Sequence, residues 1–162
     1  MPLTSKTLSI IDGQLQQYLQ STPEQNFDRS IWNNLKILSS SVDKEGKTAN
    51  VLFSIVIPEN CGNHIGIAAG GAVATLFDGA TGSAIRLVAK DGLWNGNEVT
   101  RSLSMTYYRP IALGEEVNIK CEVVDVGKRL ATVRGVMTRA SDGSLLATCQ
   151  HEKVCLLDKA KL

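Results

Sequence analysis

A chain of 162 residues fits one domain with room for a buried core. Seventeen Lys and Arg against sixteen Asp and Glu leave a net charge of +1, which argues against a nucleic-acid or membrane-surface protein. The four cysteines (Cys61, Cys121, Cys149 and Cys155) form no Cys-x-x-Cys pair and are accompanied by only two histidines, so neither a zinc site nor a disulfide scaffold is expected, and the thiols read as reduced small hydrophobes.

The first thirty residues set Lys6 and Arg29 against Asp12, Glu24 and Asp28, unlike an Arg-rich presequence, and carry no secretory signal. A cytoplasmic location is expected, with an organelle left open. Leu8, Ile11, Leu15, Tyr18 and Leu19 recur at helical spacing and predict a helix over Lys6–Gln20, closed by Thr22-Pro23. Trp32–Ser41 and Thr48–Ile57 read as extended segments joined by the turn Asp43–Lys47, a hairpin. Pro58–Asn63 reads as a loop. The longest uncharged run, Cys61–Phe77, holds Asn63, His64 and several glycines and makes a poor membrane span.

Gly70–Ala89 reads as one long helix of small residues. Each interior glycine costs a helix roughly 1 kcal/mol relative to alanine. A helix that accepts several is expected to lie close to other backbone, and a sheet wrapped around it satisfies that. Four strands follow, Val99–Tyr108, Glu116–Val126, Leu130–Arg139 and Ser144–Leu156, with tight turns that imply an antiparallel meander. The expected class is α+β, a buried long helix against a curved antiparallel sheet, with an N-terminal helix.

Asp78 breaks its local rule: it lies between Phe77 and Gly79 in an apolar helix, where a lone carboxylate is costly unless paired. On the helix pattern alone, a structural Asp held by a hydroxyl or an Arg, or one facing solvent, fits better than a catalytic one. Gly70-Gly71 opens the same helix, where free N–H groups and the helix dipole favour a developing oxyanion. The two sites are eight residues apart, or ~12 Å along the axis. A base and an oxyanion donor must both lie near one carbonyl. If both groups are catalytic, two antiparallel copies of the helix must supply them, one from each subunit.

The stretch from Asn63 to Asp78 resembles the hotdog-fold thioesterases of the phenylacetate-degradation type, whose pattern is Asn-x-x-Gly-x-x-His-Gly-Gly-x-x-x-x-x-x-Asp. Thr106-Tyr107-Tyr108-Arg109-Pro110 with Gly114-Glu115, and Gly127-Lys128-Arg129, are further matching blocks. The resemblance implies a hotdog domain over residues 31–157, a helical extension over 1–30 and a tail over 158–162. It implies hydrolysis of an acyl-CoA thioester to acid and CoA in a homodimer or dimer of dimers, with no cofactor beyond the CoA of the substrate and no metal. By position, Asp78 matches the acidic residue that activates water or attacks the thioester. Gly70 matches the residue whose N–H polarises the carbonyl, and Asn63 an Asn near that carbonyl. Thr100 matches a hydroxyl that places the water, and Gly71 and Ala69 flank the substrate. Lys128 and Arg129 match contacts to CoA phosphates, although an exposed hairpin turn also accounts for them. The chain departs from the pattern at Ala69, where relatives carry the histidine. An acyl-CoA-binding protein with impaired turnover is therefore the rival reading. His64 and His151 read as surface or strand-end residues without a role.

Overall fold

Alternating side chains build the sheet. In the strand Glu116–Val126 the residues Val117, Ile119, Cys121 and Val123 are buried while Glu116, Lys120 and Glu122 face outward, the period of two that a half-buried strand requires. The computed structural model describes residues 5–26, 28–90 and 92–156; the expected tail at 158–162 lies outside them. Helices α1 (Ser5–Ser21), α2 (Arg29–Asn34) and α3 (Gly70–Ile85) accompany strands β1 (Lys36–Val42), β2 (Ala49–Val56), β3 (Glu98–Tyr107), β4 (Glu116–Val126), β5 (Leu130–Arg139) and β6 (Leu145–Cys155). All pairings are antiparallel, in the order β1-β2-β4-β5-β6-β3. The α3 helix lies against the inner face of this sheet, and α1 packs on β1 and on the far end of α3. Among the described residues no helix is long and apolar enough to cross a membrane.

Three expectations need correction. Trp32 is not in a strand: it belongs to the short helix α2, and β1 starts at Lys36. The Trp32 indole N–H donates to Asp28 Oδ2 at 2.9 Å and the ring stacks edge-on to Tyr18, contacts that favour a helical turn over extension. The strands are not a simple meander either. Of the four later strands only β4-β5-β6 run consecutively through the sheet, whereas β3 crosses to the far edge and pairs with β6. Finally, α3 stops at Ile85 and tightens into a 3-10 turn over Arg86–Val88.

Within the chain, Gly70, Gly79 and Gly82 of α3 meet side chains and not the expected backbone. A methyl at Gly79 would overlap the Trp32 ring. On the facing strand, Gly135 leaves space for Phe77, whose ring atoms lie 2.6 Å from where a Cβ would stand. The core fills with Phe53, Phe77, Ile119, Met137 and Leu146, all fully buried. All four cysteines are free and buried.

Candidate active site

The N-terminus of α3 is left open by its own sequence. Ala69 is the N-cap residue, with φ −65° and ψ 138°, and it has no side-chain oxygen to accept a hydrogen bond. The N–H groups of Gly70, Gly71 and Ala72 find no acceptor among the described residues. Ala69 N–H itself donates to the Cys61 carbonyl at 2.8 Å, which fixes where the helix begins. The Tyr107 hydroxyl donates to the Gly70 carbonyl at 2.7 Å and holds the first turn against β3. Asn63 sits beside it. Its Oδ1 accepts from the N–H groups of Ile65 (3.0 Å) and Ile67 (3.3 Å), shaping the loop that leads into the helix. Its amide NH2 has no acceptor among the described residues. Asn63, Gly70, Ile67, Tyr107 and Arg109 line one groove of about 390 Å³.

Two turns further along α3, Asp78 is half-exposed and asymmetrically held. Its Oδ1 accepts from Thr100 Oγ1 at 2.8 Å and from Lys153 Nζ at 3.1 Å, with His151 Nε2 at 3.4 Å. Its Oδ2 has no partner among the described residues. Burial pushes the Asp78 carboxyl up, but the Lys153 ammonium, the Thr100 hydroxyl and His151 together outweigh it and hold the group below its ordinary value. One oxygen is anchored and the other is free, on a carboxylate that is ionised at neutral pH.

The sequence pattern puts His151 at the surface or a strand end. It is instead fully buried in the middle of β6. Burial, helped by the nearby Lys153 charge and opposed by Asp78 and Glu152, lowers its pKa to about 4, so the ring is neutral at pH 7. Thr81 Oγ1 lies 2.6 Å from Nδ1 and Thr100 Oγ1 lies 3.0 Å from Nε2. The tautomer protonated on Nε2 makes a one-way chain. Thr81 donates to Nδ1, Nε2–H donates to Thr100, and Thr100 donates to Asp78. In that arrangement the Thr81 hydroxyl forgoes its alternative acceptor, the Phe77 carbonyl at 2.6 Å.

Lys153 is a further residue of this site that no sequence motif marks. It is 6% exposed, and its ammonium bridges Asp78 and Thr100. A signal for both residues lies in the alternation of β6. Ala147, Cys149, His151, Lys153 and Cys155 share the buried parity, so two ionisable residues occupy positions that otherwise take small apolar ones. A bulge in β3 sets Thr100 opposite Lys153, with Ser102 opposite Glu152 and Arg101 as the extra residue.

The candidates thus fall into three groups. Asp78 and Thr100 stand together with His151 and Lys153. Asn63, Ala69, Gly70 and Gly71 gather at the start of α3. Asp78 and Gly70 line different cavities of the chain, as their helical spacing requires. Lys128 and Arg129 form the third group, exposed on the β4–β5 turn. Their side chains have no partner among the described residues. The turn is fixed from below by Trp94 Nε1, which donates to the Gly127 carbonyl at 2.8 Å. His64 is exposed on the loop after Asn63.

Comparison with known proteins follows the same lines. The chain is 28% identical to acyl-coenzyme A thioesterase 13 of Homo sapiens over 132 residues, 82% of this chain and 86% of that protein. The PaaI protein from the phenylacetic acid degradation operon of E. coli superposes with a TM-score of 0.67 at 16% identity, covering 92% of this chain and 96% of that one. A thioesterase protein from Streptococcus pneumoniae, solved with coenzyme A, superposes with a TM-score of 0.63 at 22% identity over 75% and 88% of the two chains. These likenesses make the curved six-stranded sheet around α3 a hotdog fold. Residues 65–146, half of the chain, match the family model described as thioesterase superfamily, and the chain belongs to that superfamily.

Proposed function

We propose that this protein hydrolyses acyl-CoA thioesters to a free carboxylic acid and CoA, at a site shared by two subunits. The observation that carries the reading is Asp78: Oδ1 is tied to Thr100 and Lys153, and Oδ2 is free beside a cavity. In the proposed reaction Oδ2 takes a proton from water as the water oxygen attacks the thioester carbon. The uncapped Gly70 N–H of the facing subunit receives the oxyanion, with the Asn63 amide in support. The C–S bond then breaks, the thiolate leaves as CoA with the proton, and the carboxylate is restored. Direct attack by Oδ2 on the same carbon, followed by hydrolysis of the anhydride, uses the same groups. Neither route needs a metal or redox cofactor. The name of the human relative and the CoA in the streptococcal structure support the substrate class.

Ala69 favours a second reading, an acyl-CoA-binding protein with little turnover, because the N-cap position offers no polar side chain to orient the thioester. One assay separates the two: thiol release over a panel of acyl-CoAs by the parent, Asp78→Asn and Ala69→His. The expected result is slow turnover by the parent, none by Asp78→Asn although it still binds acyl-CoA, and a rise in kcat of at least about tenfold in Ala69→His, or 1.4 kcal/mol of barrier. Full activity in Asp78→Asn would make Asp78 structural. Light scattering that found a stable, active monomer would remove the shared site.

A further inference from the structure

Beyond Asp78, one face of α3 takes no part in the proposed reaction. Asp78 and Gly82 of α3 and Arg86 of the following 3-10 turn come at intervals of four, and Gly79 and Ser83 lie beside them, so these five residues form one stripe about two turns long. The stripe lines a cavity of about 250 Å³ that begins at Asp78 and Lys153. Leu15 and Tyr18 of α1 and Trp32 of α2 form its opposite wall. The middle of the stripe has almost no side chain. Gly82 is open enough that an added Cβ would stand 3.6 Å from Lys153 Nζ, an ordinary contact. Gly79 is the opposite case, because the Trp32 ring already occupies the place of its side chain.

Trp32 is held there by a fixed set of bonds. Its indole donates to Asp28 Oδ2 at 2.9 Å, and the Tyr18 hydroxyl donates to Asp28 Oδ1 at 2.7 Å. At the far end of the stripe Arg86 Nε donates to Glu98 Oε1 at 3.0 Å, closing the cavity with an ion pair.

Resting on the thioesterase reading above, we propose that this cavity receives the acyl group, and that Trp32 over Gly79 is the stop that restricts the enzyme to short acyl groups. Three observations support it. Asp78, whose Oδ2 has no partner among the described residues, lines the cavity, and in the proposed reaction the thioester carbon lies at that oxygen. Its volume falls below the usual range of about 300–1,000 Å³ for pockets that hold drug-sized ligands. A long saturated chain reaching past Trp32 would also bury the Arg86–Glu98 pair and Asp28 under methylene groups, stripping charged groups of water without replacing their hydrogen bonds.

The test is the chain-length profile of kcat/KM from acetyl-CoA to palmitoyl-CoA, for the parent, Trp32→Ala and Gly82→Leu. The parent should prefer short chains over palmitoyl-CoA by at least tenfold. Trp32→Ala uncovers Gly79 and should move the preferred length upward. Gly82→Leu fills the cavity and should move it downward, which keeps the proposal testable if Trp32→Ala fails to fold. A parent that hydrolyses palmitoyl-CoA as well as the short esters would overturn the stop while leaving the thioesterase reading intact. So would two folded variants with the parent's profile. Absence of thiol release from every ester would overturn both.

Discussion

Lys153 places an ammonium 3.1 Å from the carboxylate on which the proposed chemistry turns. It lowers the basicity of Asp78 but keeps it ionised. Removing the cation leaves burial as the main influence, and burial raises the carboxyl. Lys153→Met is therefore expected to shift the acidic limb of the kcat/KM profile to higher pH, because protonated Asp78 accepts no proton. An unmoved limb would mean that Asp78 does not titrate in the reaction. His151 gives a second pH effect, on stability. Its pKa is about 4 in the folded protein, against 6.5 for the free side chain. The unfolded chain therefore binds the proton first as pH falls, and the fold loses stability between those values. At 1.36 kcal/mol per pH unit the loss reaches about 3 kcal/mol. The lowered Asp78 carboxyl adds a loss of the same sign at lower pH. Urea unfolding of the parent at pH 7 and at pH 4 should show this drop, and His151→Gln should lack most of it. Asp78, Gly70 and Asn63 were legible because they form a spaced pattern. His151 and Lys153 were not, because a single ionisable residue in a strand gains meaning only when the strand's inner face is known.

At the scale of elements, composition announced α3 and concealed what it packs against. Its small residues read as close packing, but the partner at Gly79 is an aromatic ring from a six-residue helix, too short for a periodic signal. Gly79→Ala separates this account from helix propensity alone. Propensity by itself predicts a gain of about 1 kcal/mol. The clash with a ring held by Asp28 predicts a net loss of about 1–3 kcal/mol. Denaturant unfolding should show the loss, and in a Trp32→Ala background the sign should reverse. The four later strands were predictable one by one from their alternation. The placement of β3 was not. A strand that crosses to a distant edge looks, along the chain, like one that pairs with its neighbour, and the difference lies in contacts about fifty residues away.

Over the whole molecule, the charge balance near zero conceals a local asymmetry. Lys128 and Arg129 project from the β4–β5 turn with no partner among the described residues, two adjacent cations suited to phosphate. If the turn meets the nucleotide of CoA, the double alanine variant should raise KM for acyl-CoA. Each well-formed contact corresponds to around 1.5–3 kcal/mol, less where it is exposed to water. KM for a pantetheine ester lacking the nucleotide should change little, and equal changes on both substrates would place the nucleotide elsewhere.

The crossing of β3 also sets an order of assembly. Among the described strands β3 has a single neighbour, β6, which follows it by about fifty residues in the chain. Until β6 is made, β3 is an unpaired edge, and pairing across so many residues must first offset the entropy of closing the loop between them. The same strand brings His151 and Lys153. A nascent chain therefore carries Asp78 for some seventy residues of synthesis before its countercharge exists. Docking of β6 completes the sheet and the carboxylate's hydrogen-bond set in one event, so a chain caught before that event has neither its final edge nor its final acid.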